Sequence, residues 1–128
     1  MREICHERHE TIRNKNNCIN LKTASFTSLR VVTKKYNSLF SIHDTTIYKD
    51  EILELCYRKN EEYVYIIEGE GEIYDYNTQK NYKLEPNTIY HVSENDKHRL
   101  TAKTNLRGIC IFTPACRGDI EHDEDGSY

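Results

Sequence analysis

Two runs rich in β-branched and aromatic residues, with glycines between them, are the feature that most constrains the fold of this chain. The first run spans residues 62–73 and the second spans residues 84–92. β-Branched and aromatic side chains favour strands, and Gly69 and Gly71 provide the backbone freedom that a hairpin or a bulge needs. The sequence therefore predicts two strands and a turn in this stretch.

The spacing within this stretch is more informative than its composition. Glu62 is followed seven residues later by Gly69, and Pro86 is followed twelve residues later by His98. This spacing resembles the two sequence motifs of the cupin superfamily. A typical cupin also has a His-x-His pair just before the glutamate, where this chain has Cys-Tyr-Arg at residues 56–58. Half of the usual cupin metal cluster is therefore missing.

Further short strand-like segments lie on both sides of this stretch. Residues 23–32 alternate small polar and apolar side chains, as in a strand with one solvent-facing side, and Ser28 and Arg30 share that side. Pro114 ends the last apolar run, because proline cannot donate to a strand ladder. The other segments are residues 39–48, 51–57, 99–102 and 106–112. Many short strands without a helical period predict an all-β barrel or sandwich.

Length and composition exclude several classes of protein. The chain has 128 residues and a mass of 15.2 kDa, which predicts one domain over residues 1–128. A net charge of −3 and scattered basic residues argue against nucleic acid as a partner. No apolar run approaches the roughly 18 residues of a membrane span, and residues 1–6 lack the apolar stretch of a signal peptide. We therefore expect a cytoplasmic protein with no membrane partner.

The cysteine pattern agrees with that location. The five cysteines are unevenly spaced and form no Cys-x-x-Cys pair. Neither a disulfide framework nor a zinc finger is indicated. We expect reduced thiols.

The C-terminal end is a dense acidic run over residues 118–128 that contains His122. Such runs are usually solvated tails. The strand, proline and loop that lead into it favour the other interpretation, in which residues 113–128 fold back over the barrel.

Several segments occur in the order and spacing of the L-ectoine synthase family, and the chain resembles that family from about Ser25 onward. The acidic ending is the most specific part of the match, because ordinary cupins do not end in this way. The matching segments are residues 45–48, 62–73, 87–90, 95–98, 110–114 and 122–128.

The resemblance implies a single-domain cupin barrel, a homodimer, and an iron(II) site formed by Glu62, Tyr90 and His98. Two oxygen donors and one imidazole suit Fe²⁺ or another divalent transition metal and leave positions open for substrate. Tyrosine binds well only as phenolate, so a cation would have to lower its pKa from about 10. The plainer alternative is that Tyr90 is a half-buried strand aromatic and Glu62 a strand-edge carboxylate.

The resemblance also implies a hydro-lyase of osmolyte biosynthesis. In the family reaction the α-amine of N-γ-acetyl-L-2,4-diaminobutyrate attacks its own acetamide carbonyl, and loss of water gives the cyclic amidine ectoine. Arg30 is the natural clamp for the carboxylate of this zwitterionic substrate. The residues implied to line the pocket are Phe26, Ser28, Arg30, Thr45, Tyr57, Cys110, Phe112 and His122.

The chain departs from the family pattern at positions that face the substrate. Asn60 replaces a pocket histidine, Phe26 replaces a tryptophan, and Ile120 replaces a glutamate. In a diverged ectoine synthase, Tyr57 or His122 would therefore cover the proton transfers. The alternatives are a related metal-dependent cupin for another small polar amino-acid derivative or sugar, and a metal-free binding or structural cupin.

Three other residues are assigned no part in the site. His91 points away from Tyr90 by strand alternation, so it is excluded as a metal ligand. His43 and Tyr65 are expected to be packing or surface residues.

Overall fold

The computed structural model describes residues 19–34 and 39–116. These residues form ten strands and no helix, so the all-β prediction is confirmed. Within these ranges there is accordingly no helix that could cross a membrane. The strands are β1 Ile19–Lys22, β2 Phe26–Val32, β3 Ser41–Ile47, β4 Ile52–Leu55, β5 Glu61–Glu68, β6 Gly71–Asp75, β7 Lys80–Leu84, β8 Ile89–Val92, β9 His98–Ala102 and β10 Leu106–Thr113.

The strands form two antiparallel sheets. The six-stranded sheet has the order β1-β2-β3-β10-β5-β8, and the four-stranded sheet has the order β4-β9-β6-β7. Alternate residues of β2 and β5 are buried, as expected for strands that pack one face against a core. The core between the sheets contains Val64 and Ile66 from β5, Leu100 from β9 and Leu106 from β10.

The chain passes from one sheet to the other at Gly69. β5 lies in the six-stranded sheet and β6 in the four-stranded sheet, so the two strands that flank this turn do not pair. Gly69 has a φ of 91°, and a Cβ atom there would collide with the backbone oxygen of Asn105. The predicted strands and turn are present, but the turn is a corner between sheets and the hairpin alternative is wrong.

A second crossing follows Pro86, between β7 and β8. The amide of Thr88 donates to the carbonyl oxygen of Glu85 at 3.1 Å, and Asn87 has a φ of 73°. Proline followed by a residue with positive φ is the pattern of a type II turn. This turn sets the register of β8 against β5, in which Tyr90 lies opposite Val64.

Some predicted segments lie outside the described residues, including the acidic run and nearly all of the segment 113–128 that is expected to fold back. The single domain over residues 1–128 stays a prediction. Within the described residues, β1 and β7 are strands that the sequence analysis did not identify.

Candidate active site

The pairing register places most of the predicted site residues on one face of the six-stranded sheet. Ser28 pairs with Thr45, His43 pairs with Cys110, and Cys110 pairs with Val64. Val64 in turn pairs with Tyr90. Paired residues lie on the same face and residues two apart return to it. The predicted residues on this inner face are therefore Phe26, Ser28, Arg30, Thr45, Glu62, Tyr90, Cys110 and Phe112.

A cavity of about 40 Å³ lies between this face and the opposite sheet. Such a volume holds one or a few water-sized groups. A larger ligand would require movement of the side chains that line the cavity. The predicted site residues that line the cavity are Phe26, Thr45, Tyr57, Glu62, Tyr90, Cys110 and Phe112.

Arg30 and Ser28 lie on the same inner face but do not line this cavity. Both are fully buried, and the Nε–H of Arg30 donates to Ser28 Oγ at 2.8 Å. Ser28 Oγ is also hydrogen-bonded to Thr45 Oγ1 at 2.8 Å. The two residues share a face as predicted, but the expectation that this face meets solvent is wrong. Buried arginine is rare in proteins unless it is paired.

Glu62 is a buried carboxylic acid on β5. Its side chain is 3% exposed, and its Oε1 has no hydrogen-bond partner among the described residues. Burial raises its pKa to about 8, an effect that a hydrogen bond with the Cys110 thiol opposes. A buried carboxyl of this kind is either protonated or requires a nearby cation.

Tyr90 on β8 lies beside Glu62. Burial raises the pKa of its phenol well above the usual value, and the negative charge of Glu62 raises it further. Without a cation the phenol therefore stays protonated, and a bound cation would lower both of these pKa values.

His98 comes from the opposite sheet, at the start of β9. It is fully buried, and its Nδ1–H donates to the backbone oxygen of Asp96 at 2.9 Å. Its Nε2 is buried and has no hydrogen-bond partner within the described ranges. Burial lowers the pKa of this imidazole, which keeps it neutral. Its ring lies 5.9 Å from that of Tyr57.

The structure brings Glu62 and Tyr90 to the inner cavity but places His98 at a second one. That second cavity, of about 360 Å³, lies at the edge between β7 and β8 and is bordered by both His98 and Tyr90. Tyr90 thus lies on the walls of both cavities.

Glu62, Tyr90 and His98 carry oxygen and nitrogen donors of the kinds that a divalent transition-metal ion accepts. In the described part of the chain, no three His, Cys, Asp or Glu side chains form a metal site, so a site here depends on the tyrosine. Two of the three residues present a buried atom with a free lone pair and no hydrogen-bond partner among the described residues, Oε1 of Glu62 and Nε2 of His98. A cation would satisfy both atoms and would supply the positive charge that the buried carboxyl lacks.

Two predicted residues lie elsewhere. Asn60 is buried but does not line the inner cavity, and its Nδ2 donates to the backbone oxygen of Pro114 at 2.7 Å. This bond ties the loop before β5 to the end of β10. His122 lies outside the described residues.

Sequence analysis did not identify His43 as a site residue. The structure buries it fully and places it on the wall of the inner cavity, with its ring 4.9 Å from that of Phe112. The signal was available, because His43 lies two residues before Thr45 and therefore on the same face of the same strand.

The other two residues left out of the site are on the surface. His91 stacks on Tyr63 at 4.3 Å and its Nε2 lies 3.3 Å from Glu61 Oε2. Tyr65 is 43% exposed and its hydroxyl donates to Asn87 Oδ1.

Comparison with known proteins gives a consistent set of relatives. The family model described as ectoine synthase matches residues 5–128. The chain is 43% identical over 107 residues to the L-ectoine synthase of Oceanobacillus iheyensis, covering 84% of each protein. It is 37% identical over 108 residues to the L-ectoine synthase of Saccharopolyspora erythraea, covering 84% of this chain and 80% of that protein.

Solved structures agree on the fold. The ectoine synthase from P. lautus superposes with a TM-score of 0.78 at 32% identity, covering 92% of this chain and 83% of that one. Oxalate decarboxylase from Bacillus subtilis superposes with a TM-score of 0.68 at 13% identity, covering 79% of this chain and 28% of that one. The second likeness concerns the fold alone, and the predicted cupin barrel is confirmed.

Proposed function

The chain belongs to the ectoine synthase family, and we propose that it closes N-γ-acetyl-L-2,4-diaminobutyrate to ectoine with loss of water. The observation that carries this proposal is the polar inner face of the six-stranded sheet. Fully buried Arg30, Ser28 and Glu62 are expensive in a purely structural core. A small zwitterionic ligand carries charged groups that such a polar face is suited to bind.

The barrel interior is suited to an intramolecular condensation. The α-amine and the acetamide carbonyl already belong to one molecule, so the protein has to hold them in attack geometry. The walls formed by Phe26, Phe112 and Tyr57 are buried and exclude bulk water from the reacting atoms. This matters because the reaction releases water, and a wet site favours the reverse hydrolysis.

We propose that Glu62, Tyr90 and His98 hold one divalent metal ion, with Fe²⁺ as our first choice. A bound ion would act as a Lewis acid on the acetamide carbonyl. Three observations support this assignment: Glu62 is buried, Tyr90 is half-buried on the same cavity wall, and Nε2 of His98 is buried without a hydrogen-bond partner among the described residues. The hydrogen bond from Nδ1 to the backbone oxygen of Asp96 keeps the ring in the tautomer whose Nε2 carries a lone pair for a metal ion.

We propose that Arg30 holds the substrate carboxylate. The planar guanidinium offers two parallel N–H donors, which matches the geometry of a carboxylate. Ser28 accepts from Nε and so restricts the orientation of the guanidinium. Ser28 is in turn hydrogen-bonded to Thr45, which lines the inner cavity, so Arg30 is linked to the cavity wall through Ser28.

We further propose that the protein is a cytoplasmic homodimer built from one domain per chain. An exposed apolar strip on the outer face of the six-stranded sheet supports self-association. Its members are Tyr63, Tyr65, Ile89 and Ile111, each between 38% and 66% exposed.

The direct test is ectoine formation by the purified protein. Metal-loaded protein is incubated with N-γ-acetyl-L-2,4-diaminobutyrate, and ectoine is measured by chromatography against an authentic standard. We expect ectoine in proportion to enzyme and time, and less of it after chelation. A protein that binds iron but forms no ectoine would instead favour a related cupin for another small polar amino-acid derivative or sugar.

A further inference from the structure

His43 is a histidine inside the barrel for which the proposed metal site has no use. It is 1% exposed and lies in the middle of β3, with Arg30 opposite on β2 and Cys110 opposite on β10. Its ring contacts that of Phe112 at 4.9 Å. A buried histidine on a cavity wall is a candidate for chemistry as well as for packing.

The proposed reaction needs a group of this kind. The amine nitrogen forms a bond to the carbonyl carbon, and the carbonyl oxygen leaves as water. Two protons therefore move from the amine nitrogen to the departing oxygen. A group that accepts a proton from one atom and returns it to the other must titrate near neutral pH, and imidazole is the side chain that does so without a large perturbation.

The inner cavity offers few candidates for this role. Glu62 and Tyr90 are assigned to the metal, and Thr45 does not titrate in the accessible range. Tyr57, the candidate from the sequence, is a phenol, whose ordinary pKa of about 10 is far from neutral, and burial raises the pKa of the Cys110 thiol. Among the described residues that line this cavity, His43 supplies the one imidazole. Asn60, at the position where the family has a pocket histidine, instead donates to the backbone oxygen of Pro114.

We propose that His43 is a catalytic residue that transfers protons during ring closure. It takes a proton from the amine nitrogen as the C–N bond forms and delivers a proton to the oxygen as the C–O bond breaks. The second proton follows the same route, so the imidazole ends the cycle in its starting state. This inference rests on the proposed function and names the group that replaces the missing pocket histidine.

The surroundings of His43 determine how its charge would respond to pH. Arg30 brings a permanent positive charge next to it on β2, and the Cys110 thiol faces it from β10. Among the described residues, the other titratable groups on the same cavity are Glu62, Tyr90 and Tyr57.

The test compares metal-loaded wild type with His43→Gln. Glutamine keeps a polar side chain of similar length but cannot exchange protons near neutral pH. We expect kcat to fall by about 10²-fold or more, the range for general acid–base catalysis. In the pH profile of kcat, we expect the decrease towards acid pH (the acid limb) to disappear in this variant. Ectoine affinity by calorimetry, bound metal and the melting temperature should stay close to wild type.

His91→Gln is the matched control, because it removes a histidine from the outer face of the barrel and should leave kcat unchanged. His43→Asn serves as a second variant if His43→Gln does not fold.

Five outcomes would count against the proposal. An unchanged kcat in His43→Gln, or an unchanged acid limb, would overturn the role of His43 while the proposed function stands. Equal losses of ectoine affinity and kcat would assign His43 to binding. Failure of both variants to fold would make it a structural residue. A wild-type protein that forms no ectoine would overturn the proposed function itself, and this role with it.

Discussion

His98 donates its Nδ1 proton to the backbone carbonyl oxygen of Asp96 across 2.9 Å. A carbonyl only accepts, so the hydrogen is on Nδ1 and the neutral ring carries its lone pair on Nε2. That nitrogen is buried and, in the described part of the chain, has no hydrogen-bond partner. Asp96 therefore fixes the tautomer in which the buried Nε2 of His98 carries a lone pair that can bind a metal ion.

The first prediction concerns metal binding. Wild-type protein should carry roughly one divalent transition metal ion per chain, and His98→Ala should lose it because the only nitrogen ligand of the proposed set is removed. Elemental analysis of the purified proteins measures this directly.

His91→Ala is the control for that experiment, since His91 lies on the outer face beside Glu61. It should keep the metal. Full metal retention in His98→Ala would show that the ligand assignment is wrong.

The second prediction concerns the stability of the metal-free protein. Burial raises the pKa of Glu62 in the folded state from 4.5 to about 8. Between these two values the folded protein binds a proton that the unfolded chain has released, so stability falls as pH rises. The contribution is complete below about pH 4.5 and is lost by about pH 8. At about 1.4 kcal/mol per pKa unit, a rise from 4.5 to about 8 gives an upper bound of roughly 5 kcal/mol.

Glu62→Gln provides the comparison, because glutamine is neutral at every pH. After chelation, the free energy of unfolding is measured by denaturant titration at pH 5 and at pH 8. Wild type should lose stability over this interval relative to Glu62→Gln. Parallel pH dependence in the two proteins would mean that Glu62 does not titrate in the folded state as described.

How far the sequence predicts this structure depends on the kind of signal. The alternating pattern of β2 correctly places Ser28 and Arg30 on one face of the strand. The same polar pattern is expected whether that face contacts solvent or lines a polar interior. Their burial becomes visible only when β2 is paired with β3. His43 is buried and packs against Phe112, in agreement with the packing alternative. Its place on the cavity wall follows from its position two residues before Thr45.

The strand β7 was missed for a different reason. Its residues Lys80–Leu84 are exposed except for the last, so it has no alternating apolar pattern. It is a strand because it pairs with β6. The corner at Gly69 was also ambiguous, since glycine permits a hairpin and a sheet-to-sheet crossing equally well and only long-range packing selects between them.

The third prediction tests that corner. Gly69→Ala should destabilise the protein by at least about 2 kcal/mol, because a left-handed conformation costs a non-glycine residue roughly 1 to 2 kcal/mol even before any clash. Here the added methyl would also meet the backbone oxygen of Asn105, which cannot rotate away. Denaturant unfolding measures the change.

Gly108→Ala is a suitable comparison for the corner. Its added methyl would approach a side-chain atom, Val64 Cγ1, at 3.0 Å, and side chains adjust more easily than backbone. We expect a smaller loss there. If Gly69→Ala lowers the free energy of unfolding no more than Gly108→Ala does, the corner does not require a glycine at residue 69.

The last prediction concerns substrate recognition by Arg30. Arg30→Lys keeps the positive charge but loses the two-pronged fit to a carboxylate, so kcat/KM for ectoine formation should fall. The loss should correspond to about 1 to 3 kcal/mol of transition-state stabilisation, the range for hydrogen bonds to charged groups.

Arg107→Lys is the matched control, because Arg107 makes a two-pronged contact with Asp44, at 2.9 and 2.8 Å, on the outer face of the barrel. Losing that contact should lower the melting temperature with little effect on kcat/KM. Steady-state kinetics and thermal melts on both variants separate the two roles, and equal kinetic losses would mean that Arg30 acts through stability and not by binding the carboxylate.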